Sequence, residues 1–208
     1  HLILSLLREG YKVRALKRQR SNFFWIKKIF RYYESEKGDE FFNRIEWIDA
    51  DLTDYNALEE AFRGVERVFH SAAMVSFDPR DRRKLMRINR VGTRDMVNFA
   101  LDNGVKYFGF VSSVAALGMQ YRDGEYRVTE SEGWKDTDEK PDYAVSKFLA
   151  ELEVWRGIEE GLTAGIVNPS IIIGPGDWFR GSGTMFRHIR NGLAYYPAGV
   201  TGFVDVRD

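Results

Sequence analysis

Apolar positions along this chain alternate between a helical and a strand period, and the alternation lays out a series of predicted elements. Leu2, Ile3, Leu6 and Leu7 share a helix face that stops at Gly10, and Tyr11 to Leu16 reads as the next strand. Ser21-Asn22 is placed to cap a second helix with Phe23, Ile26, Phe30 and Tyr33 on one side. Ile45-Glu46-Trp47-Ile48 predicts a strand, Asn56 to Phe62 a helix, and Arg67-Val68-Phe69 a strand running into His70-Ser71-Ala72-Ala73. A long helix follows from about Arg82 to Leu101, then a strand from Tyr107 to Val111. A further helix runs from about Tyr143 to Glu160 and a strand from Thr163 to Asn168. No internal repeat or low-complexity segment interrupts the series.

Short apolar strands separated by amphipathic helices are the pattern of an α/β fold, a doubly wound parallel sheet. Such folds normally open with a central strand and a glycine-rich phosphate turn, whereas this chain opens with a helix. His1-Leu2 reads like the residues just after the last glycine of that turn. The expectation is a sheet lacking its first strand and glycine-rich turn, and a C-terminal region cut short after Gly202 to Asp208.

Composition narrows the classes. Lysine plus arginine and aspartate plus glutamate both number 31, so no whole-molecule field draws the chain to nucleic acid or an anionic membrane. The chain has no cysteine, which excludes disulfides, thiolate catalysis and cysteine-ligated metals within it and fits a reducing compartment. No apolar stretch approaches the roughly 20 residues that span a bilayer, and the first residues lack a signal-peptide layout, so a cytoplasmic location is expected.

The candidate chemistry lies at Tyr143 and Lys147, downstream of Ser113 at the end of the strand Tyr107 to Val111. Residues four apart share a helix face, so the phenol and the ammonium project together. At about 6 Å and an effective dielectric of about 20, one positive charge stabilises a phenolate by roughly 3 kcal/mol, about two pK units. That brings a tyrosine from about 10 toward 8, within reach of acid–base work near neutrality. A strand-end serine hydroxyl can hold and polarise a substrate oxygen meanwhile. The chain holds its own control, because Tyr33 and Lys37 repeat the spacing inside a charged helical stretch with no strand-end serine leading into it. Context selects the second pair; the bland reading of that pair is two solvated side chains near a helix start.

These residues resemble the extended short-chain dehydrogenases, which include sugar-nucleotide epimerases and dehydratases, dihydroflavonol-reductase-like enzymes and hydroxysteroid dehydrogenases. The resemblance rests on Asp51-Leu52-Thr53-Asp54, Val68 to Ala73, Asn89-Arg90-Val91-Gly92-Thr93 and Val111-Ser112-Ser113. It continues through Tyr143-x3-Lys147, Asn168 to Gly176 and Val204 to Asp208, which is nearly the whole chain. It implies a Rossmann-type dinucleotide-binding domain over residues 1–170 and the start of a substrate-binding region over 171–208. It assigns Tyr143 as proton donor or acceptor, Lys147 as the group that lowers its pKa and binds the nicotinamide ribose, and Ser113 as the residue orienting the carbonyl. Ser112 competes for that last role; aligning Gly118 with the family's glycine after this strand favours Ser113. Asp51 and Leu52 would meet the adenine, Ser71, Ala72 and Ala73 would line the dinucleotide, and Asn168, Pro169 and Ser170 would approach the nicotinamide. Helix capping is the structural alternative for Asp51 and Asp54, and satisfaction of buried backbone groups is the alternative for Asn89.

At the end of the second strand, where an acidic residue normally receives the adenine ribose hydroxyls of NAD, this chain has Lys17 and Arg18. Cations there favour NADP, with NAD as the alternative. Lys17 to Tyr33 also mixes cations with aromatic residues, as a nucleic-acid or membrane-surface element does, but helical spacing at 23, 26, 30 and 33 favours packing; no nucleic acid or membrane partner is expected. The three histidines form no metal cluster, and no metal is expected. The resulting expectation is an NADP-preferring, dihydroflavonol-reductase-like enzyme interconverting a small-molecule carbonyl and an alcohol. Alternatives are a nucleotide-sugar epimerase with tightly held NAD, or a non-catalytic dinucleotide-binding sensor or partner-binding module. Dehydration is disfavoured because Val114-Ala115-Ala116 supplies no acid beside Ser113. Met74, Ser76, Phe77 and residues near Tyr121 are the visible substrate-pocket candidates, and the loop Met119 to Lys140 is either a cover for the cleft or a passive connection. A homodimer through the long helices is common in the family, and the sequence leaves it open.

Overall fold

The computed structural model covers residues 1–208 and describes all of them except 119, 123, 124, 132, 133, 135–139, 194, 196–198 and 200, with backbone alone at 120–122 and 125–127. In chain order the first elements are α1 (Leu2–Arg8), β1 (Val13–Lys17), α2 (Phe24–Glu34), α3 (Gly38–Asn43), β2 (Ile45–Asp49) and α4 (Tyr55–Phe62). Next come β3 (Arg67–His70), α5 (Arg82–Leu85), α6 (Gly92–Asp102), β4 (Tyr107–Val111) and the short strands β5 (Gln120–Arg122) and β6 (Glu125–Arg127). The chain continues through α7 (Asp142–Glu159), β7 (Ala164–Val167), β8 (Ile171–Ile173), α8 (Gly183–Arg190) and β9 (Phe203–Asp205). A π-helical turn, Met86–Val91, joins α5 to α6, so the long helix predicted from Arg82 onward exists with one widened turn in it. The pairs β1–β2, β3–β4, β4–β7 and β8–β9 are all parallel, and β5–β6 is a local antiparallel hairpin. The architecture is α/β with parallel sheets, as the alternation of periods predicts.

The chain forms two compact units, residues 1–50 with 170–208, and residues 51–169. In the first, Leu4, Leu7, Ala15, Phe30, Phe42 and Ile45 make the core, and Phe23, Ile26, Tyr33 and Trp47 pack against it. The helix face predicted at 23, 26, 30 and 33 is therefore the buried one, with Phe23 against Trp47 at 4.6 Å between ring centres. Packing accounts for those aromatic residues, while Phe24 and Tyr32 stay exposed. α2 ends at Ser35, whose φ of 49° is left-handed and breaks the helix before Lys37. Tyr33 and Lys37 thus do not share one continuous helix face, and the Tyr33 ring instead meets His1 edge-on at 5.5 Å.

In the second unit, Val68, Phe108 and Phe110 face Leu58 and Phe62 of α4, Met96, Val97, Phe99 and Ala100 of α6, and Ala150 and Val154 of α7. Burial alternates along β3 and β4, so Phe69 and Tyr107 lie on the opposite face. Gly109 and Gly165 sit beneath those two rings, and a Cβ there would lie 2.8 Å from Phe69 and 2.4 Å from the Tyr107 hydroxyl. The register Val111↔Val167 brings the residues after both strands out side by side. The Ser112 amide donates to the Val167 carbonyl at 2.8 Å and the Val114 amide to the Pro169 carbonyl at 3.1 Å. That pairing carries Ser112, Ser113, Asn168 and Pro169 to one edge.

The six-residue α3, the eight-residue α8, the strands β8 and β9 and the hairpin β5–β6 were not read from the apolar pattern; each of those strands has three residues, too few to show a period. Among the described residues no helix is long and apolar enough to cross a membrane.

Gly157 lies inside α7, where alanine would ordinarily favour the helix by up to about 1 kcal/mol. Here a Cβ would lie 2.5 Å from Val97 Cγ1 and 3.3 Å from Leu162. Gly157→Ala is expected to destabilise the chain by about 1–3 kcal/mol in urea unfolding, with Val97→Ala in the same chain reversing part of the loss.

Candidate active site

Ser113 has extended backbone angles and caps the 3₁₀ turn Val114–Ala116, its hydroxyl oxygen accepting from the Ala115 amide at 3.2 Å. That contact occupies a lone pair and leaves the hydroxyl proton free to point elsewhere. The Tyr143 phenol lies near enough to Ser113 for the serine to act on it, lowering its pKa. Ser112, one residue back, is 5% exposed and donates to the Glu151 carboxylate at 2.6 Å. Of the two competing serines, Ser113 is the half-open one against Tyr143, and Ser112 is engaged inside the fold.

α7 starts at Asp142, just after Pro141, whose fixed φ suits a helix entry. Tyr143 is half-buried, and burial pushes its phenol above the ordinary value, with Ser113 offsetting part of the effect. This corrects the expected depression toward 8. Burial outweighs the cation, and Lys147 is itself enclosed: it is 2% exposed, donates to the Val111 carbonyl at 2.9 Å and lies 4.5 Å from the centre of the Phe110 ring. Burial lowers the Lys147 pKa to about 8, while the Glu151 charge acts to raise it.

Four buried polar residues support this face: Ser146, Glu151 and His70, to which the sequence assigned no role, and Asn89. Ser146 donates to the Tyr143 carbonyl at 2.7 Å and accepts from the Asn89 amide at 2.9 Å. Asn89 also clamps the backbone of Met74, donating to its carbonyl at 2.9 Å and accepting from its amide at 2.7 Å. Asn89 is 1% exposed and its side-chain amide is engaged by protein groups. Glu151 accepts from Ser112, from the Asn168 amide at 2.8 Å and from the Trp155 indole at 3.3 Å. His70, 2% exposed, bonds Thr93 at 2.9 Å and is held neutral, its pKa lowered to about 3 by burial and by the Lys147 charge. A carboxylate four residues after the lysine was the one sequence signal available for Glu151.

The remaining expected residues fall as follows. Asn168 also donates to the Ser113 carbonyl at 3.2 Å, and Pro169 receives Val114. Ser71, Ala72 and Ala73 are exposed just beyond the carboxyl end of β3. Asp51 folds back on Thr53, accepting from its amide at 3.0 Å and its hydroxyl at 2.8 Å, and Asp54 caps α4 at Ala57. Leu52 packs into the core and crowds Gly92, where a Cβ would meet it at 3.1 Å. In the other unit, Lys17 is ion-paired with Asp49, its strand partner on β2, whereas Arg18 is exposed and makes no ion pair among the described residues. Ser170 also belongs to that unit, where Gly202 lies beside it.

Of the pocket candidates, Phe77 is 75% exposed and meets the Tyr143 ring edge-on at 5.9 Å. Ser76 is engaged by Asp81 and Asp78. Tyr121 and most of the loop from Met119 lie outside the described side chains. Trp134, which is described, stacks on Phe148 of α7 at 4.2 Å with the Lys140 ammonium 4.4 Å from its ring centre. Among the described residues no group of histidine and carboxylate side chains could hold a metal ion.

A parallel α/β sheet with a serine, a tyrosine and a lysine at its carboxyl edge defines a class, and comparison supplies the family. The chain belongs to the NAD dependent epimerase/dehydratase family, whose model matches residues 1–200. It is 34% identical over its whole length to a putative dihydroflavonol 4-reductase of Synechocystis and 31% identical to sterol demethylase protein B of Methylococcus capsulatus. It is 28% identical to cinnamoyl-CoA reductase 1 of Petunia hybrida. The chain spans 56%, 59% and 62% of these relatives, respectively. Among solved structures, the gox2253 protein is 31% identical with a TM-score of 0.75, over 98% of this chain and 58% of that one. The UDP-glucose 4-epimerase of Thermus thermophilus, solved with NAD, has a TM-score of 0.75 at 23% identity over 99% of this chain and 66% of that one, a likeness of Rossmann-type fold.

His70 has a folded-state pKa well below its unfolded value, so the neutral form favours folding: that contribution is whole above about pH 6.5 and is lost as pH falls toward 3. The slope approaches about 1.4 kcal/mol per pH unit within that window. The urea midpoint is expected to drop between pH 7 and pH 5, and His70→Gln to flatten that part of the profile.

Proposed function

We propose that this protein is an NADP-preferring oxidoreductase that interconverts a carbonyl and an alcohol, working chiefly as a reductase. The observation that carries the reading is the placing of Tyr143 and Lys147 one turn apart on α7, with Ser113 at the end of β4 near enough to act on the phenol. When bound, the nicotinamide supplies the hydride. Ser113 donates to the substrate carbonyl oxygen and polarises it, and Tyr143 delivers the proton that turns the developing alkoxide into a hydroxyl. The phenol, held above its ordinary pKa by burial, is protonated near neutrality and so is available as the proton donor that reduction needs. The phenolate left behind is stabilised by the Lys147 charge.

The residues present fit the cofactor. Small, exposed Ser71, Ala72 and Ala73 sit at the carboxyl end of a parallel strand, where such folds receive dinucleotides. Arg18 is the cation open to a ribose phosphate; Lys17 contributes less because Asp49 already neutralises it. The reductases among the relatives support the same direction of chemistry.

Tested in the full-length protein by a carbonyl-substrate screen, Tyr143→Phe is expected to lower kcat by about 10²–10⁴-fold. Full turnover by that variant would overturn the proton-transfer role, and tightly bound NAD surviving purification would favour an epimerase. By cofactor fluorescence, Arg18→Ala is expected to weaken NADPH by about 10–100-fold and leave NADH unchanged; tighter NADH binding by the unaltered protein would overturn the NADP preference.

A further inference from the structure

Glu151 is the carboxylate that the reading above does not use, and its surroundings give it a task. It lies one turn beyond Lys147 on α7, is 9% exposed, and gathers donors from three places: Ser112 after β4, Asn168 after β7 and Trp155 on its own helix. Ser112 adjoins Ser113, and the same Asn168 amide that donates to Glu151 also donates to the Ser113 carbonyl. The carboxylate therefore ties the strand end that carries Ser113 to the helix that carries Tyr143. Hydrogen bonding alone does not require a charge there, since a glutamine oxygen can accept from both Ser112 and Asn168.

The charge has a different object. Among the described residues, the titratable groups that act on or with Lys147 are Glu151, one turn along α7, and His70 from β3, with Tyr143 one turn back on α7; β4 presents the Val111 carbonyl and the Phe110 ring. Tyr143 and His70 are both neutral near pH 7, which leaves Glu151, among the described residues, as the negative charge acting on the buried ammonium.

Resting on the reductase reading, we infer that Glu151 is a positioning residue for the reaction: its carboxylate fixes the Ser113 strand end against α7 and keeps Lys147 protonated while Tyr143 works.

The test is the pH profile of kcat/KM between pH 6 and 10 in the full-length protein, with NADPH and a carbonyl substrate from the screen. Lys147 assists as an ammonium, so activity is present below its pKa and falls as pH rises through it. Glu151→Gln removes the opposing charge and is expected to move this alkaline limb down by about one pH unit, roughly a tenfold loss at pH 8 relative to pH 6. Glu151→Asp, with the charge drawn back by one methylene, is expected to fall between, and Ser112→Ala to lower the rate without moving the limb. If Glu151→Gln does not fold, the order of the aspartate variant below the unaltered protein carries the test. A limb that stays in place while the rate drops equally at every pH would reduce Glu151 to a structural role and overturn the inference. Lys147→Met separates the two failures: full turnover there sinks the functional reading itself, whereas an essential lysine with an unmoved limb sinks only Glu151.

Discussion

The second unit is organised around the need to satisfy polar groups that α7 buries. Its inward face carries Ser146, Lys147 and Glu151 among Ala144, Ala150, Val154 and Gly157. An ammonium and a carboxylate withdrawn from water are costly unless each finds charge or hydrogen bonds nearby. The partners come from separate elements: Asn89 from the π-helical turn, the Val111 carbonyl and Phe110 ring from β4, Ser112 and Asn168 from the two strand ends. Satisfying them fixes the helix against the sheet edge, and the same contacts aim Ser113 and Tyr143 at each other.

The small residues near this helix serve the same end. Gly157 lets Val97 of α6 approach α7, while Gly109 and Gly165 accept the rings of Phe69 and Tyr107 on the far side of the strands. On the rim, Arg156 joins Asn98, Glu153 and Glu160, and Arg90 also reaches Glu153. Those exposed pairs add little to stability individually. They mark the seam between α6 and α7 that the apolar contacts have already closed.

Much of this was legible in sequence because strands and helices with a clean apolar period announce themselves. β4 was located to the residue, and α7 differs from its expected span by one position at each end. The placing of Tyr143 and Lys147 on one helix after the strand that leads into Ser113 was legible from spacing, whereas Tyr33 and Lys37 are parted by Ser35, which breaks their helix. What was not legible depends on burial. Ser146 and Glu151 look like ordinary surface polar residues in the string of letters, and only the fold shows that they are enclosed. The same holds for Lys17, whose partner Asp49 lies 32 residues away and meets it only through the parallel register of β1 with β2.

The tyrosine and the lysine show why spacing alone gave the wrong sign for one of them. A Coulomb estimate treats the phenol and ammonium as a pair in a fixed medium, so the cation pulls the tyrosine down. Burial acts on both at once, and it penalises whichever form is charged: the phenol moves up and the ammonium moves down to about 8. The two values shift past each other, so the lysine gives up its proton before the tyrosine does. Below about pH 8 α7 then carries a neutral phenol and, one turn on, a buried ammonium. The upper edge of that range is set by the lysine, and so by whatever charge the fold places next to it.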